Sequence, residues 1–188
     1  ISEGAQKEFG LDHAEVDAIK NAKLQMGSLF DSFEDLTLIC TLEPCNHEGK
    51  TGACTEAIIK SGIKKVIVGC MDPNPLVSGK GIEKLIKNGI DVDIGFCEEA
   101  IQEQNKFFFY KHKNKKPFIT LKIASSKDGK SHNQDGSRTW ITCEESRQDV
   151  QLVRALHDAI MTGGNTVLND NPLMNARVEF PVNQPKKI

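Results

Sequence analysis

Residues 41–54 read TLEPCNHEGKTGAC and carry two cysteines, Cys45 and Cys54, with eight residues between them. Nearer the N-terminus lies His13, and Glu15 follows it two positions later. An imidazole and two thiolates are ligands that Zn²⁺ prefers, and three protein ligands leave the fourth tetrahedral position open for water. The pattern therefore predicts a zinc site of the catalytic kind.

The neighbouring carboxylate indicates which reaction such a site could carry out. In zinc deaminases of nucleobase-like rings, a His/Cys/Cys site activates water and a Glu that is not a ligand moves protons. Glu15 is the candidate for that role. The usual signature has two residues between the cysteines, however, and here His47 lies within a longer loop as a competing ligand. With His47 as a fourth ligand, the zinc would be purely structural and the protein not an enzyme.

The predicted secondary structure favours convergence of these ligands. Asp12 is a candidate cap for a helix over residues 13–24, with apolar residues on one face. A buried strand is expected over residues 36–41, just before the first cysteine. A second helix should begin near Cys54 and end at Gly62. A thiol in a first helical turn has a lowered pKa because the helix dipole favours the anion.

The rest of the first part alternates between helix and strand. Strands are expected at 65–69 and 90–94, and helices at 82–88 and 98–110. This alternation predicts a mostly parallel sheet covered by helices. The basic, proline-terminated segment 111–117 (KHKNKKP) is expected to be a solvated linker.

A second α/β pattern follows the predicted linker. We expect a strand over 118–123, a helix over 143–156 and a strand over 159–162. A loop is expected over 163–172, where glycine and asparagine would let the backbone approach a ligand phosphate. On its own this loop is a weak signal, because surface turns use the same residues.

The loop 41–54 resembles the zinc loop of the RibD family, the bifunctional deaminase/reductases of riboflavin biosynthesis, whose cysteine spacing is wider than usual. Residues 72–81 (DPNPLVSGKG) resemble a second signature loop of that family. Trp140-Ile141-Thr142 and the Asp128-Gly129 turn resemble the start of its reductase domain. The resemblance runs over nearly the whole chain.

This resemblance implies an α/β fold with two parts. Residues 1–110 would form a cytidine-deaminase-like three-layer domain that binds Zn²⁺. Residues 111–117 would be the linker, and residues 118–188 would begin a dihydrofolate-reductase-like α/β domain that uses NADPH.

The family's functional residues carry over by position. The resemblance implies zinc ligands at His13, Cys45 and Cys54 and a proton shuttle at Glu15. Substrate contacts are implied for the deaminase at Lys50, which would meet a phosphate, and at His47. For the reductase, NADPH contacts are implied at Ala124, Trp140, Thr166 and Asp170, and substrate contacts at Arg154, Met174 and Arg177.

The implied function is a pair of steps in riboflavin biosynthesis. The first is zinc-dependent hydrolytic deamination of 2,5-diamino-6-(5-phosphoribosylamino)pyrimidin-4-one. The second is NADPH-dependent reduction of the ribosyl side chain to ribityl. The alternative is a related zinc deaminase of a nucleoside, a nucleobase or a tRNA base, against which Lys50 and the reductase-like tail argue.

Composition and charge predict the kind of partner and the cellular location. A formal net charge of −2 gives no electrostatic case for nucleic-acid binding, so we expect a small-molecule partner. No apolar run is long enough to span a membrane, and the first residues lack a signal-peptide pattern. Six cysteines in 188 residues do not resemble a secreted disulfide framework, so a cytoplasmic location is expected. A homo-oligomer is compatible with the sequence.

The chain departs from the family in several places. Gln6 stands where the family commonly has a substrate-contacting His, and Arg138 where it commonly has Ser. The family's first helix and first strand are not matched at the N-terminus, and its later reductase strands are not matched at the C-terminus. A protein that lacked all of these elements would expose sheet edges, so we expect the sequence to be a fragment of a longer protein.

Overall fold

The structure, a computed structural model, describes residues 1–8, 10–27, 32–47, 51–75, 77–135, 137 and 139–188. The chain divides into two compact units, Ile1–Ile119 and Thr120–Ile188. Within these described ranges, no helix combines the length and the apolar character needed to cross a membrane.

The first unit is built on a parallel sheet, as the sequence predicts. Its described strands are β1 (Thr37–Leu42), β2 (Lys65–Cys70) and β3 (Asp91–Ile94), in the order β1-β2-β3. Cys40 pairs with Val68, which in turn pairs with Ile94. Because the strands are parallel, their carboxyl ends lie at the same edge of the sheet.

Helices connect these strands and cover the sheet. They are α1 (Ala14–Met26), α2 (Cys54–Ser61), α3 (Lys80–Lys87), α4 (Glu98–Gln104) and α5 (Lys106–Asn114). One hydrophobic cluster joins α1, α2 and α3 to all three strands, and its fully buried members include Ile58, Val66, Val68 and Leu85. This core fixes the positions at which α1 and α2 begin.

The start of α1 differs from the prediction. His13, not Asp12, occupies the N-cap position with extended backbone angles (φ −72°, ψ 162°), and it makes no side-chain capping bond. The predicted Asp12 cap is therefore wrong, because the Asp12 carboxylate pairs instead with the ammonium of Lys20. The shift by one residue places His13 directly before the first helical turn, where its ring contacts the sulfur atoms of Cys45 and Cys54.

The predicted helix over 98–110 is interrupted and extended. Asn105 leaves helical geometry (φ −107°, ψ 23°) and separates α4 from α5. The second helix continues to Asn114, four residues into the segment 111–117 that was expected to be a linker. The ring of Phe118 packs edge-on against Phe107 and Tyr110, with centroids 4.9 and 5.1 Å apart, which anchors the end of α5.

The second unit contains α6 (Glu144–Ala155), β4 (Ala159–Ile160), α7 (Gly164–Asp170) and β5 (Lys186–Lys187). Strands β4 and β5 pair in parallel, with Ala159 opposite Lys186.

Two predictions for the part of the chain after α5 are wrong. The loop expected over 163–172 is mostly helix, because the Gly163 carbonyl accepts the Val167 N–H and the turn repeats up to Asn171. The strand expected over 118–123 is not formed in the described structure. Its apolar residues Ile119 and Leu121 are 82% and 81% exposed, so burial does not hold them in an extended sheet.

Candidate active site

Three elements bring the predicted metal ligands together. His13 precedes α1, Cys54 is the first residue of α2, and Cys45 lies in the turn after β1. The His13 Nδ1 atom lies 3.2 Å from the Cys54 Sγ and 3.5 Å from the Cys45 Sγ. The three donor atoms all lie within 4.8 Å of one another.

The donor set fits a tetrahedral zinc ion. Zn–N bonds of about 2.0–2.1 Å and Zn–S bonds of about 2.3 Å place tetrahedral N and S ligands roughly 3.6 Å apart. In the structure the corresponding N–S separations of 3.5 and 3.2 Å are close to that value. Across the part of the chain that the structure describes, His47 is not a member of this group, so the geometry gives a three-ligand site.

The two thiols do not ionise alike. A hydrogen bond between the two thiols lowers the pKa of Cys45 to about 5, and the Cys54 backbone N–H, 3.4 Å from the Cys45 Sγ, and the nearby His13 ring lower it further. The same interaction with Cys45, together with burial and the nearby Glu15 carboxylate, raises the pKa of Cys54. Near neutral pH the pair therefore holds one proton, and one thiolate ligand is already formed.

Glu15 lies beside the ligands without belonging to them. Its Oε2 atom is 3.5 Å from the Cys54 Sγ, and the described ligand group of His13, Cys45 and Cys54 does not include it. Burial raises the pKa of the Glu15 carboxyl above its ordinary value. A carboxylate whose pKa is shifted toward neutral can take up a proton and return it, which is what a general acid/base requires.

A cavity of about 1070 Å³ opens beside this centre. Its walls include the predicted site residues His13, Glu15, Cys45 and His47, and also Gln6, one of the positions at which a departure from the RibD pattern is expected. Lys50 and Arg138 lie outside the described residues. The contact of Lys50 with a substrate phosphate stays a prediction.

Three polar residues of this region are not among those predicted from the sequence. Asp72 and Asn74 line the cavity, although the loop that carries them was recognised as a motif. Burial raises the pKa of the Asp72 carboxyl, whose Oδ1 accepts the Asn74 N–H at 2.7 Å. Glu43 is 3% exposed, and its position directly before Pro44-Cys45, after an apolar strand, was the available signal.

The second unit brings together the residues implied for substrate binding by the reductase. Arg154 Nη1 donates to the Asn175 carbonyl at 3.1 Å, and Arg177 Nη1 donates to the Asn175 side-chain oxygen at 3.2 Å. Burial, and then the positive charge of Arg177, lower the pKa of Arg154. Met174, directly before Asn175, is 7% exposed and has a positive φ of 49°.

The implied NADPH residues lie on three segments of the second unit. Thr166 and Asp170 are exposed and one turn apart on α7. Trp140 is 68% exposed, and the Arg147 guanidinium lies 4.5 Å from its ring centroid. Ala124 is partly buried in the segment that precedes the Asp128-Gly129 turn.

Two family models match the chain. The cytidine and deoxycytidylate deaminase zinc-binding region matches residues 1–70, which include all three candidate ligands and Glu15. The RibD C-terminal domain matches residues 117–188. The two matches follow the same order as the two structural units.

Similar proteins match over nearly the full chain. The riboflavin biosynthesis protein RibD of Aquifex aeolicus is 44% identical over 185 residues, which cover 98% of this chain and 50% of that protein. RibD of Bacillus amyloliquefaciens is 43% identical, with 100% of this chain and 49% of that protein covered.

Solved structures agree with the sequence relatives. A diaminohydroxyphosphoribosylaminopyrimidine deaminase/5-amino-6-(5-phosphoribosylamino)uracil reductase from Thermotoga maritima superposes with a TM-score of 0.87 at 42% identity, over 100% of this chain and 52% of that one. Acinetobacter baumannii RibD gives the same TM-score at 41% identity, over 100% of this chain and 52% of that one. The predicted fold class is thus confirmed. By its sequence and its fold, the chain belongs to the RibD family and spans about half the length of the curated relatives it matches.

Proposed function

We propose that the first unit is the zinc-dependent deaminase of riboflavin biosynthesis. The observation that supports this proposal is that His13, Cys45 and Cys54 lie close together. The Glu15 carboxylate lies 3.5 Å from the sulfur of one of these ligands and is not a member of the ligand group. This arrangement matches the requirements of hydrolytic deamination, in which three ligands hold the metal and a separate Glu moves protons. Its substrate would be 2,5-diamino-6-(5-phosphoribosylamino)pyrimidin-4-one.

In this reaction the site residues would have two roles, metal binding and proton transfer. His13, Cys45 and Cys54 would hold a zinc ion, which lowers the pKa of a coordinated water to about 7. Glu15 would move two protons from the attacking water, one to the neighbouring ring nitrogen and the other to the exocyclic amine. The carbon–nitrogen bond then breaks, ammonia leaves, and the ring carbon keeps the oxygen as a carbonyl.

The cavity walls supply the groups that would recognise the substrate. His47 and Gln6 offer hydrogen-bonding side chains beside the metal centre. An amide at Gln6 can donate and accept but carries no charge, unlike the His that is common in the family at this position. Lys50 would contact the substrate phosphate as a compact cation.

For the second unit we propose a contribution to NADPH-dependent reduction of the ribosyl side chain to ribityl. Ala124, Trp140, Thr166 and Asp170 would contact NADPH, and Arg154, Met174 and Arg177 would contact the substrate. Both guanidinium groups donate to oxygen atoms of Asn175, and this pair of neighbouring cations supports an anion such as a phosphate as their partner. We place the protein in the cytoplasm, because all six cysteines are free thiols.

The deaminase proposal is tested by ammonia release from the phosphoribosylated diaminopyrimidine, with cytidine, cytosine and guanine as competing substrates. We expect zinc-dependent release from the first compound and none from the others. Deamination of a nucleoside or free base, without deamination of the phosphoribosylated compound, would favour the alternative of a related nucleoside or nucleobase deaminase. An absence of ammonia from all four substrates with the zinc-loaded protein would contradict the proposal.

A further inference from the structure

Glu43 is a buried carboxylate between β1 and the metal ligand Cys45. Its side chain is 3% exposed. Its own backbone N–H donates to the Cys70 carbonyl at 3.0 Å, which continues the pairing of β1 with β2 by one residue. A buried acidic side chain is costly unless its charge is compensated, so its partners decide what it does.

The partners of the Glu43 side chain are backbone N–H groups of one distant segment. Oε2 accepts from Asp72 at 3.3 Å and from Gly79 at 2.9 Å, at the two ends of a loop. Oε1 accepts from Gly81 at 2.9 Å and from Ile82 at 3.4 Å, in the first turn of α3. An ionised carboxylate suits this cradle because it is acceptor-only and offers about four lone-pair sites.

The segment held in this way forms a wall of the active-site cavity. Asp72 and Asn74 line the cavity on which Glu15 and Cys45 also lie. The loop carrying them is closed at both ends by the Glu43 carboxylate, which therefore sets the position of this wall.

The same carboxylate holds the ligand turn against α3. Pro44, the residue between Glu43 and Cys45, is fully buried. A Cβ at Gly81 would lie only 2.0 Å from the Pro44 carbonyl oxygen, so only glycine permits this approach of the two backbones. The hydrogen bonds to Gly81 and Ile82 fix that approach, and Cys45 is the next residue along the chain.

We infer that Glu43 is a positioning residue that couples the metal site to the substrate cavity. One carboxylate places both the thiolate of Cys45 and the wall formed by Asp72 and Asn74. The part of this inference that concerns substrate rests on the proposed deaminase function, whereas the part that concerns the metal does not.

The inference is tested by Co²⁺ titration of the full chain, because Co²⁺ replaces Zn²⁺ and its d–d absorption reports the coordination geometry. In Glu43→Gln an amide NH₂ takes the place of one acceptor oxygen and faces two N–H donors. We expect Co²⁺ binding to weaken by about 10- to 100-fold, the range found when groups that orient metal ligands are removed, together with a shifted d–d band. The matched control is Glu83→Gln on α3, whose side chain is exposed and pairs only with Lys87 among the described contacts, and it should behave as wild type.

A purely structural role for Glu43 predicts a different result. The inference is overturned when Glu43→Gln lowers the unfolding temperature but leaves Co²⁺ affinity and the d–d spectrum unchanged. Glu43→Asp decides the question if the Gln variant does not fold, because Asp keeps the charge but is one methylene too short to reach all four donors. Weaker Co²⁺ binding is expected again, and wild-type binding would overturn the inference.

Failure of this inference is distinguishable from failure of the proposed function. A wild-type chain that binds Co²⁺ but releases no ammonia contradicts the deaminase proposal, while the Co²⁺ affinities of the Glu43 variants still decide the positioning role. If wild type is a deaminase, zinc-saturated Glu43→Gln should show a raised KM, because the Asp72 and Asn74 wall has moved. An unchanged KM would contradict the coupling to the cavity.

Discussion

Substitution of Glu15 by Gln should abolish most deamination while the metal stays bound. The change replaces one carboxylate oxygen by NH₂ and keeps the shape of the side chain. The remaining amide oxygen can still accept the contact from the Cys54 thiol, which in the native protein lies 3.5 Å from Oε2. The buried Ile19 and Ala22 on the same helix hold α1 in place, so we expect the fold to persist.

The expected magnitude follows from the role of the carboxylate. Loss of a general acid/base group costs about 10²- to 10⁴-fold in rate, which corresponds to about 3–5 kcal/mol in activation free energy. Zinc content should not change, because the ligand group consists of His13, Cys45 and Cys54. An amide cannot carry the proton that the carboxylate carries, so the loss should appear in kcat.

The assay combines two measurements on the same samples. Zinc per chain is measured by elemental analysis, and deamination by ammonia release, for wild type, Glu15→Gln and the exposed control Glu83→Gln. We expect all three proteins to retain zinc and only Glu15→Gln to show a large loss of deamination rate. Deamination at the wild-type rate would refute the proton-shuttle role, and loss of zinc would show that Glu15 is a ligand.

Three further outcomes follow from the site and the core. Cys54→Ser should purify without zinc, because the fully buried sulfur is one of three ligands, whereas Cys97→Ser, which alters an exposed thiol, should retain it by elemental analysis. At pH 7, Zn²⁺ uptake should release about one thiol proton, because the pKa of Cys45 is lowered to about 5 and that of Cys54 is raised. Below pH 5 Cys45 is protonated as well, so the affinity for Zn²⁺ should fall more steeply with pH. Release of two thiol protons at pH 7 would contradict these pKa shifts. Ile58→Ala should lower the free energy of unfolding of the first unit in urea by about 2–5 kcal/mol, because the Ile58 side chain is fully buried. Leu24→Ala, at a position that is 81% exposed, is the control. Equal effects of the two substitutions would argue against the described core.

The sheet and the helix starts of the site could be predicted because their signals are local. Apolar runs mark β1 and β2, and Gly62 ends α2 in the left-handed conformation (φ 85°) expected of a C-terminal glycine. The residue types of the three ligands and of Glu15 indicated a zinc-dependent hydrolytic deamination. The eight-residue spacing of the cysteines then pointed to one family, with which the comparisons agree.

What could not be predicted depends on contacts between distant residues. The hydrogen-bond partners of the Glu43 side chain lie 29 to 39 positions away in the chain, so no local pattern shows its role. The segment 118–123 has strand-forming residues, but a strand also needs a partner. In the structure Thr120 instead contacts the His157 ring through its hydroxyl group. In α7 the Gly and Asn residues suggested a loop, and the local hydrogen bonds formed a helix.

X-ray absorption spectroscopy of the zinc-loaded protein would determine whether the metal site is open to water, as a catalytic site requires. We predict two sulfur ligands, one imidazole and one further oxygen ligand from solvent, in accord with the group formed by His13, Cys45 and Cys54. A spectrum with two sulfurs and two imidazoles would make His47 a fourth protein ligand. That result would close the site to water and contradict the account.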